Sequence, residues 1–456
     1  MYLFYFSLFK FFYLCTIYLL DIHNNESIAI IYASFTSIFL LIHSFYKHPY
    51  FSNILLWFNF TFFMLFPFGG LFGILAFGHE FSSISYVTSF AGAPSLESRV
   101  LSYYITGILI FILNVIFINF NLHKISFRSK VNDSLYIKLS FLILFLTLPL
   151  VLYYNFYLLY FLQSQGFAAF YTERPSPFPF SGVILLINTM MFYILLTSNL
   201  SLKNFKIYST IFLLCALFSS FWGNRGAFIL PFILIIYLYG CFYQKKKISV
   251  AKSSIIFIFS VAFMFSLSIF RSESIFRYED IVYMLSGSLS KSQYLLATYL
   301  DNYSSFTNDS PFIFASILFP YTYFESGFSA EGQSLASIIY RDDFGHVFSY
   351  FLNQTAYLSG KGLGSSFVIE VIQYPYLIFL FILLFSFLHL FIFRFIFNFK
   401  YLYPLVPYFL LHFLYSPRDT SFVNTWGLIK FGILFISFLT LLTLIRLCIQ
   451  RKFYHS

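Results

Sequence analysis

Hydrophobic residues run through this chain in long blocks broken by short polar intervals. A helix that crosses a bilayer needs about 20 mainly apolar residues. Twelve blocks meet or approach that length: 2–20, 28–46, 51–77, 100–120, 139–162, 181–200, 207–221, 226–243, 253–270, 375–393, 401–416 and 427–447. The pattern predicts an all-α polytopic integral membrane protein with about 12 transmembrane helices. The third block is long and holds Pro67, Gly69, Gly70 and Gly73. It predicts a broken or re-entrant span, which a bilayer tolerates only where neighbours satisfy the freed backbone groups. The seventh and eighth blocks are short and parted only by WGNRG, which predicts a helical hairpin.

One long polar interval, 271–374, interrupts the pattern. It divides the chain into spans 1–9 with short loops (1–270), a large loop (271–374) and spans 10–12 (375–456). Within the loop, Ile281, Leu285 and Leu289 recur every four residues, as do Leu296 and Leu300. That spacing predicts a few short helices lying on the membrane surface.

Charge sets the orientation. When alternate loops are taken as one side, 16 Lys/Arg fall together with Asp133 as the sole carboxylate, a net +15. The other side holds 10 Lys/Arg and 16 Asp/Glu, a net −6. The positive-inside rule then places both termini in the cytoplasm and 271–374 outside. The overall +10 is thus topological, with no nucleic-acid partner implied. Charged residues are only 10% of the chain, against about 25% in soluble domains. The apolar N-terminus carries Lys10 and lacks a small-residue cleavage site, so it reads as a retained first span. Cys15, Cys215, Cys241 and Cys448 all lie in or beside apolar blocks, and read as small core residues. Much of the Phe and Tyr excess is explained equally well by AT-rich codons.

The sequence holds no Walker A loop, GxGxxG, HExxH, CxxC pair or GxSxG. No metal site and no cofactor is expected. Asp342-Asp343 is the only DD and reads as solvated loop charge rather than a metal pair. The outer arginines carry more. Arg225 sits in the NRG turn, Arg271 and Arg277 open the long loop, Arg341 lies within it, and Arg418 ends the eleventh span. A guanidinium at the bilayer boundary is costly without an anion, and its planar fork fits phosphate oxygens. The set suits a lipid pyrophosphate; equally, these arginines can pair with Glu273, Glu279, Asp280 and Asp419 or with lipid headgroups. Lys361, with Gly362 and Gly364, forms a glycine-rich exit where backbone N–H groups can approach an anion, or simply a flexible re-entry. Glu370 follows, as a general base or as a carboxylate favoured at a helix N-terminus. His346 is the one histidine of the long loop, and His79 with Glu80 sits in the second outer loop; either histidine can take a proton at neutral pH or be ordinary polar surface.

The tight N-R-G turn, the long late loop, FPYTYFESGFSAEGQSLA (319–336) and the exit G-x-G-S-S-F-x-x-E together resemble the O-antigen polymerases, the Wzy-type oligosaccharide repeat-unit polymerases. The topological likeness covers the whole chain; specific residues match near 222–228, 331–336, 360–370 and 416–421. The resemblance implies a GT-C-like glycosyltransferase in the bacterial inner membrane, working without nucleotide or metal. The donor would be a growing glycan on undecaprenyl pyrophosphate and the acceptor a hydroxyl of one lipid-linked repeat unit. The family's functional arginines would map onto Arg225, Arg418 and one of Arg271, Arg277 or Arg341, with Glu370 or His346 as base. A polysaccharide chain-length regulator is the implied partner. Two departures stand out: no arginine has a glycine eleven residues on, so the R-x10-G signature of some polymerases is absent, and the loop carries 10 carboxylates against 5 Lys/Arg.

Two alternatives stay open. An O-antigen ligase shares the donor, and His346 fits its loop histidine, although the surrounding residues do not. A lipid-linked oligosaccharide flippase also has twelve spans; nearly charge-free spans and one long loop disfavour it.

Overall fold

A computed structural model describes residues 25–77, 92–125, 127, 131–173, 175–221, 226–244, 247, 249, 259, 278–306, 311–325, 334–341, 344–358, 362–421 and 425–454. Among them the chain is helical, and no strand forms beyond one isolated bridge between Val131 and Ser198. In order the helices are α1 (Glu26–Lys47), α2 (Ile54–Leu65), α3 (Pro67–Phe77), α4 (Leu96–Asn119), α5 (Ser134–Glu173), α6 (Ser181–Thr197), α7 (Leu202–Phe221) and α8 (Gly226–Phe242). The polar interval then supplies α9 (Tyr278–Asp301), α10 (Ala315–Glu325), α11 (Leu335–Arg341), α12 (Phe344–Leu352), α13 (Gln354–Leu358) and α14 (Phe367–Ile372). The chain closes with α15 (Ile378–Asn398), α16 (Leu405–Tyr415) and α17 (Thr425–Tyr454).

Six helices among the described residues are long and apolar enough to cross a membrane, in keeping with a polytopic membrane protein. The 51–77 block forms α2 and α3, bent by 51° at Phe66. Pro67 opens α3, where its missing N–H breaks the ladder at little cost. The blocks at 181–200 and 226–243 give apolar helices shorter than a full span. The blocks at 2–20 and 253–270 lie outside the described residues.

Single polar contacts tie the apolar helices together. Asn53 caps α2 by accepting from the Leu56 N–H (3.2 Å) and donates back to the carbonyls of Ser44 (2.9 Å) and His48 (3.1 Å). One buried amide therefore closes the α1–α2 turn. Asn59 of α2 and Asn114 of α4 exchange side-chain hydrogen bonds at 2.8 and 2.7 Å, fully buried. Asn188 of α6 donates to Thr147 of α5, and Ser219 of α7 to Asn155 of α5. Between helices already surrounded by hydrocarbon, such contacts and close packing set the pairing.

Described residues of the two loop sets separated by charge make contacts of their own, one group following the C-terminal end of α4 and the other at its N-terminal end. Beyond the C-terminal end of α4, Arg394 donates to the Phe120 carbonyl (2.6 Å), Arg446 pairs with Asp133, Asn199 donates to the Val131 carbonyl and Tyr243 to that of Leu200. At its N-terminal end, Asp301 accepts from the Ser95 N–H and hydroxyl (both 2.6 Å), which satisfies orphan donors and complements the helix dipole.

The long loop differs from its expected form in one respect. Short helices are present, but α9 runs 24 residues and packs into the bundle against α3, α4 and α2 rather than lying on a surface. Ser290, Ser292, Gln293, Leu295, Leu296 and Tyr299 are all buried. The four-residue apolar spacing identified a helix, but small polar residues between the leucines let a second face pack as well.

Replacing Asn59 with Leu strands the Asn114 amide in an apolar setting. The expected cost is about 1–3 kcal/mol, read as a fall in detergent thermal stability, with partial recovery in Asn59→Leu/Asn114→Leu. An unchanged melting temperature in the single variant would show that the pair contributes nothing.

Candidate active site

The glycine-rich exit of the loop enters the bundle through α14. Ser366 caps this helix, its hydroxyl accepting from the Val368 N–H and donating to the Pro417 carbonyl at 2.9 Å. Phe367 stacks on Phe385 of α15 with ring centroids 4.6 Å apart. It also meets Phe62 of α2 edge-on, and Phe58 stacks on Phe413 at 4.6 Å. This aromatic core, shared by α2, α14, α15 and α16, fixes the position of the next turn.

Glu370 lies on that turn and is only 1% exposed. Its Oε2 accepts from the Ser421 N–H at 2.6 Å, and its Oε1 from the Ser365 hydroxyl at 3.2 Å. The carboxyl thus joins α14 to the segment that follows α16. Burial pushes its pKa up to about 8; hydrogen bonds from Ser421 and Ser365 pull it back, while the Asp419 charge adds to the rise. Glu370 does sit in the first turn of a helix, but its carboxyl groups with a second segment of chain, beyond what a dipole contact requires.

That second segment carries Arg418. It ends the turn Ser416–Arg418 directly after α16 and is half-buried, and its Nη1 donates to the Ser292 hydroxyl of α9 at 3.3 Å. The residue after Ser292 also binds across the bundle. Gln293 donates to the Ser102 hydroxyl of α4 at 2.7 Å, and Tyr294 beside it is buried. Glu26 pairs with Arg99 at 3.2 Å, both largely buried. Ser102, the partner of Gln293, lies three residues after Arg99 on α4.

The glycine-rich segment packs on α12. A Cβ at Gly345 would lie 3.1 Å from the Gly364 carbonyl carbon and 3.3 Å from the Ser365 nitrogen. The Leu363 N–H donates to the Ser349 hydroxyl at 3.0 Å. Gly364 has φ +85°, a conformation that favours glycine. Gly362 and Gly364 are exposed. His346, on α12 beside Gly345, turns its Nδ1 to the Tyr357 hydroxyl at 2.5 Å.

Of the residues singled out in the sequence, the fold brings Glu370, Arg418, Gly362, Gly364 and the helix bearing His346 into one region. Arg225, Arg271, Arg277 and Lys361 lie outside the described residues, as do His79, Glu80, Asp342 and Asp343. Arg341 closes α11. No group of three or more potential metal ligands occurs among the described residues. Sequence reading passed over Arg99, although SLESR places an arginine in the first turn of a span, much as SPRD places Arg418 at the end of one. Ser365 and Ser421 fall in the matched segments 360–370 and 416–421, but no local pattern joins Ser421 to Glu370, 51 residues away, and nothing in the sequence pointed to Ser292, whose partner lies 126 residues on.

Residues 2–452 match the family described as O-antigen polysaccharide polymerase Wzy. The chain belongs to this family. The match spans nearly the whole sequence, the long loop included. No curated protein and no solved structure matches the chain.

This polymerase-family protein should carry a pH-dependent contribution to stability at Glu370. In the unfolded chain this carboxyl titrates near its ordinary 4.5, and in the fold near 8. Between those values the native state holds a proton that the unfolded state has lost, so stability falls as pH rises through the window. Glu370→Gln removes the titration, and thermal unfolding between pH 5 and pH 8 should flatten relative to the parent. An identical slope in both proteins would mean that Glu370 ionises normally.

Proposed function

We propose that this member of the polymerase family joins lipid-linked oligosaccharide repeat units on the outer face of the bacterial inner membrane. What supports the reading most directly is the buried junction at Glu370, where one carboxyl ties the glycine-rich exit to the segment carrying Arg418. An acid and a cation held by the same junction suit glycosyl transfer from a pyrophosphate.

The donor is a growing glycan on undecaprenyl pyrophosphate; the acceptor is the terminal sugar of a repeat unit on a second such lipid. The bond between the donor's anomeric carbon and the pyrophosphate oxygen breaks, and its electron pair leaves with the pyrophosphate. The sugar carbon becomes oxocarbenium-like, and the acceptor hydroxyl oxygen bonds to it. The hydroxyl proton passes to Glu370, with His346 as the other candidate base. With a pKa of about 8, Glu370 is ionised in roughly a tenth of molecules at pH 7 and binds a proton firmly once ionised. Arg418, Arg225 and one of Arg271, Arg277 or Arg341 meet the charge that builds on the leaving oxygens, in a poorly solvated setting where fixed donors act most strongly. Lys361 and the N–H groups of Gly362 and Gly364 offer further contacts to the anion.

In this reading the fold is GT-C-like with twelve spans and both termini in the cytoplasm. Residues 1–270 and 375–456 form the membrane part, and 271–374 the periplasmic loop. A chain-length regulator is the expected partner. The charge division between loop sets is what supports the orientation.

Deleting the gene separates the readings. A polymerase loss leaves single repeat units on lipid A. A ligase loss leaves polymer on undecaprenyl pyrophosphate, and a flippase loss leaves no exported glycan. Arg418→Lys and Arg225→Lys should each abolish polymer at unchanged protein level, because lysine keeps the charge but loses the planar fork. Full-length polymer in both variants would dismiss the pyrophosphate clamp. A topology reporter placing residue 330 in the cytoplasm would overturn the outer-face site altogether.

A further inference from the structure

Two helices of the long loop bear large exposed apolar side chains. On α10, Ile317, Leu318, Tyr321 and Phe324 are all exposed, Leu318 by 57% and Tyr321 by 71%. At about 100° per residue they fall on one stripe roughly 120° wide. On α11, Leu335 and Ile339 are exposed one turn apart, Ile339 by 71%. The two helices pack against each other. Even without Phe324, Ile317, Leu318, Tyr321, Leu335 and Ile339 put five large exposed apolar side chains on one helical pair, more than residues scattered singly.

What lies beside the stripe identifies its occupant. α10 packs against α17, which contains the candidate span Gly427–Ile449. Ile429, Ile433 and Ile436 of that span also point outward, Ile433 by 59%. In a membrane-spanning helix such residues face lipid. The helix that bears the stripe thus packs directly on a span whose outward residues face lipid. The nearby segment has the features of an interfacial element: an exposed Glu325 ends α10, and tyrosine lies along its outward face.

We propose that α10 and α11 form an interfacial hairpin, seated in the headgroup and upper acyl region of the leaflet on the loop side. Their apolar stripe is held by lipid, not by a second copy of the chain or by a protein partner. The hairpin anchors the middle of the long loop to the membrane, between the buried helix α9 and the glycine-rich exit. This placement is independent of the transferase reading and holds for any activity at the junction.

The test uses the intact protein in lipid nanodiscs at one chain per disc. One sample receives a photoactivated carbene precursor tethered to lipid, the other a water-soluble one, and labelled residues are mapped by mass spectrometry. Residues 315–325 and 335–341 should take the lipid-tethered label as the 427–449 span does, and stay free of the aqueous label. Leu318→Glu/Tyr321→Glu should lose lipid label on 315–325 and gain aqueous label there, with labelling of 427–449 unchanged as the sign of an intact fold. Aqueous labelling of Leu318, Tyr321 and Ile339 in the parent protein would overturn the proposal. So would protection from both reagents, which would place protein over the stripe, or a double variant that labels as the parent does.

Discussion

A buried carboxyl is the constraint on which the loop side of this protein depends. Glu370 has given up water at all but 1% of its surface, and its two oxygens are met by Ser421 and Ser365. Neither contact is local in the helical sense: one reaches 51 residues along the chain, and the other reaches back across the start of α14. A buried polar group without partners costs several times what one hydrogen bond contributes, so both segments are held where the carboxyl needs them. Arg418 follows from this, because it sits between Pro417, which accepts from Ser366, and the 419–421 stretch that reaches Glu370.

The aromatic core provides the rigidity that such a junction requires. Phe367 stands three residues before Glu370 and packs between Phe385 and Phe62, on helices from both halves of the chain. In a bilayer the hydrophobic effect does not favour one helix pairing over another, so shape and scattered amides decide it. Asn53, Asn59 with Asn114, Asn188 and Asn155 are the visible instances. The resulting frame carries α9 inward, and successive residues of α9, Ser292 and Gln293, then bind Arg418 and Ser102.

Among the described residues, the long apolar blocks form helices as their pattern predicts, because a bilayer forces every backbone group to pair within its own segment. Reading the sequence also found the break at Pro67. It misjudged α9, since a surface helix and a buried one can share the same leucine spacing when serine and glutamine fill the gaps. The glycines at 362 and 364 were legible as a glycine-rich exit into a helix, and only the fold shows that Gly364 takes a positive φ. Arg99 went unread although its position at a span end resembles that of Arg418. Its pairing with Glu26 joins the starts of two helices that are 73 residues apart in the chain, a distance no local pattern spans.

Membership of the family, the helical class and the separation of the loops into a basic and an acidic set were all determined by the sequence alone. Each rests on composition or on short-range pattern, which the chain carries whatever its fold. The tertiary structure decided which of the candidate groups are neighbours. It set the Glu370 carboxyl against Ser421, turned His346 to Tyr357, and placed Arg418 over α9. Those contacts depend on how helices pack, and packing is settled by the shapes of side chains far apart in sequence.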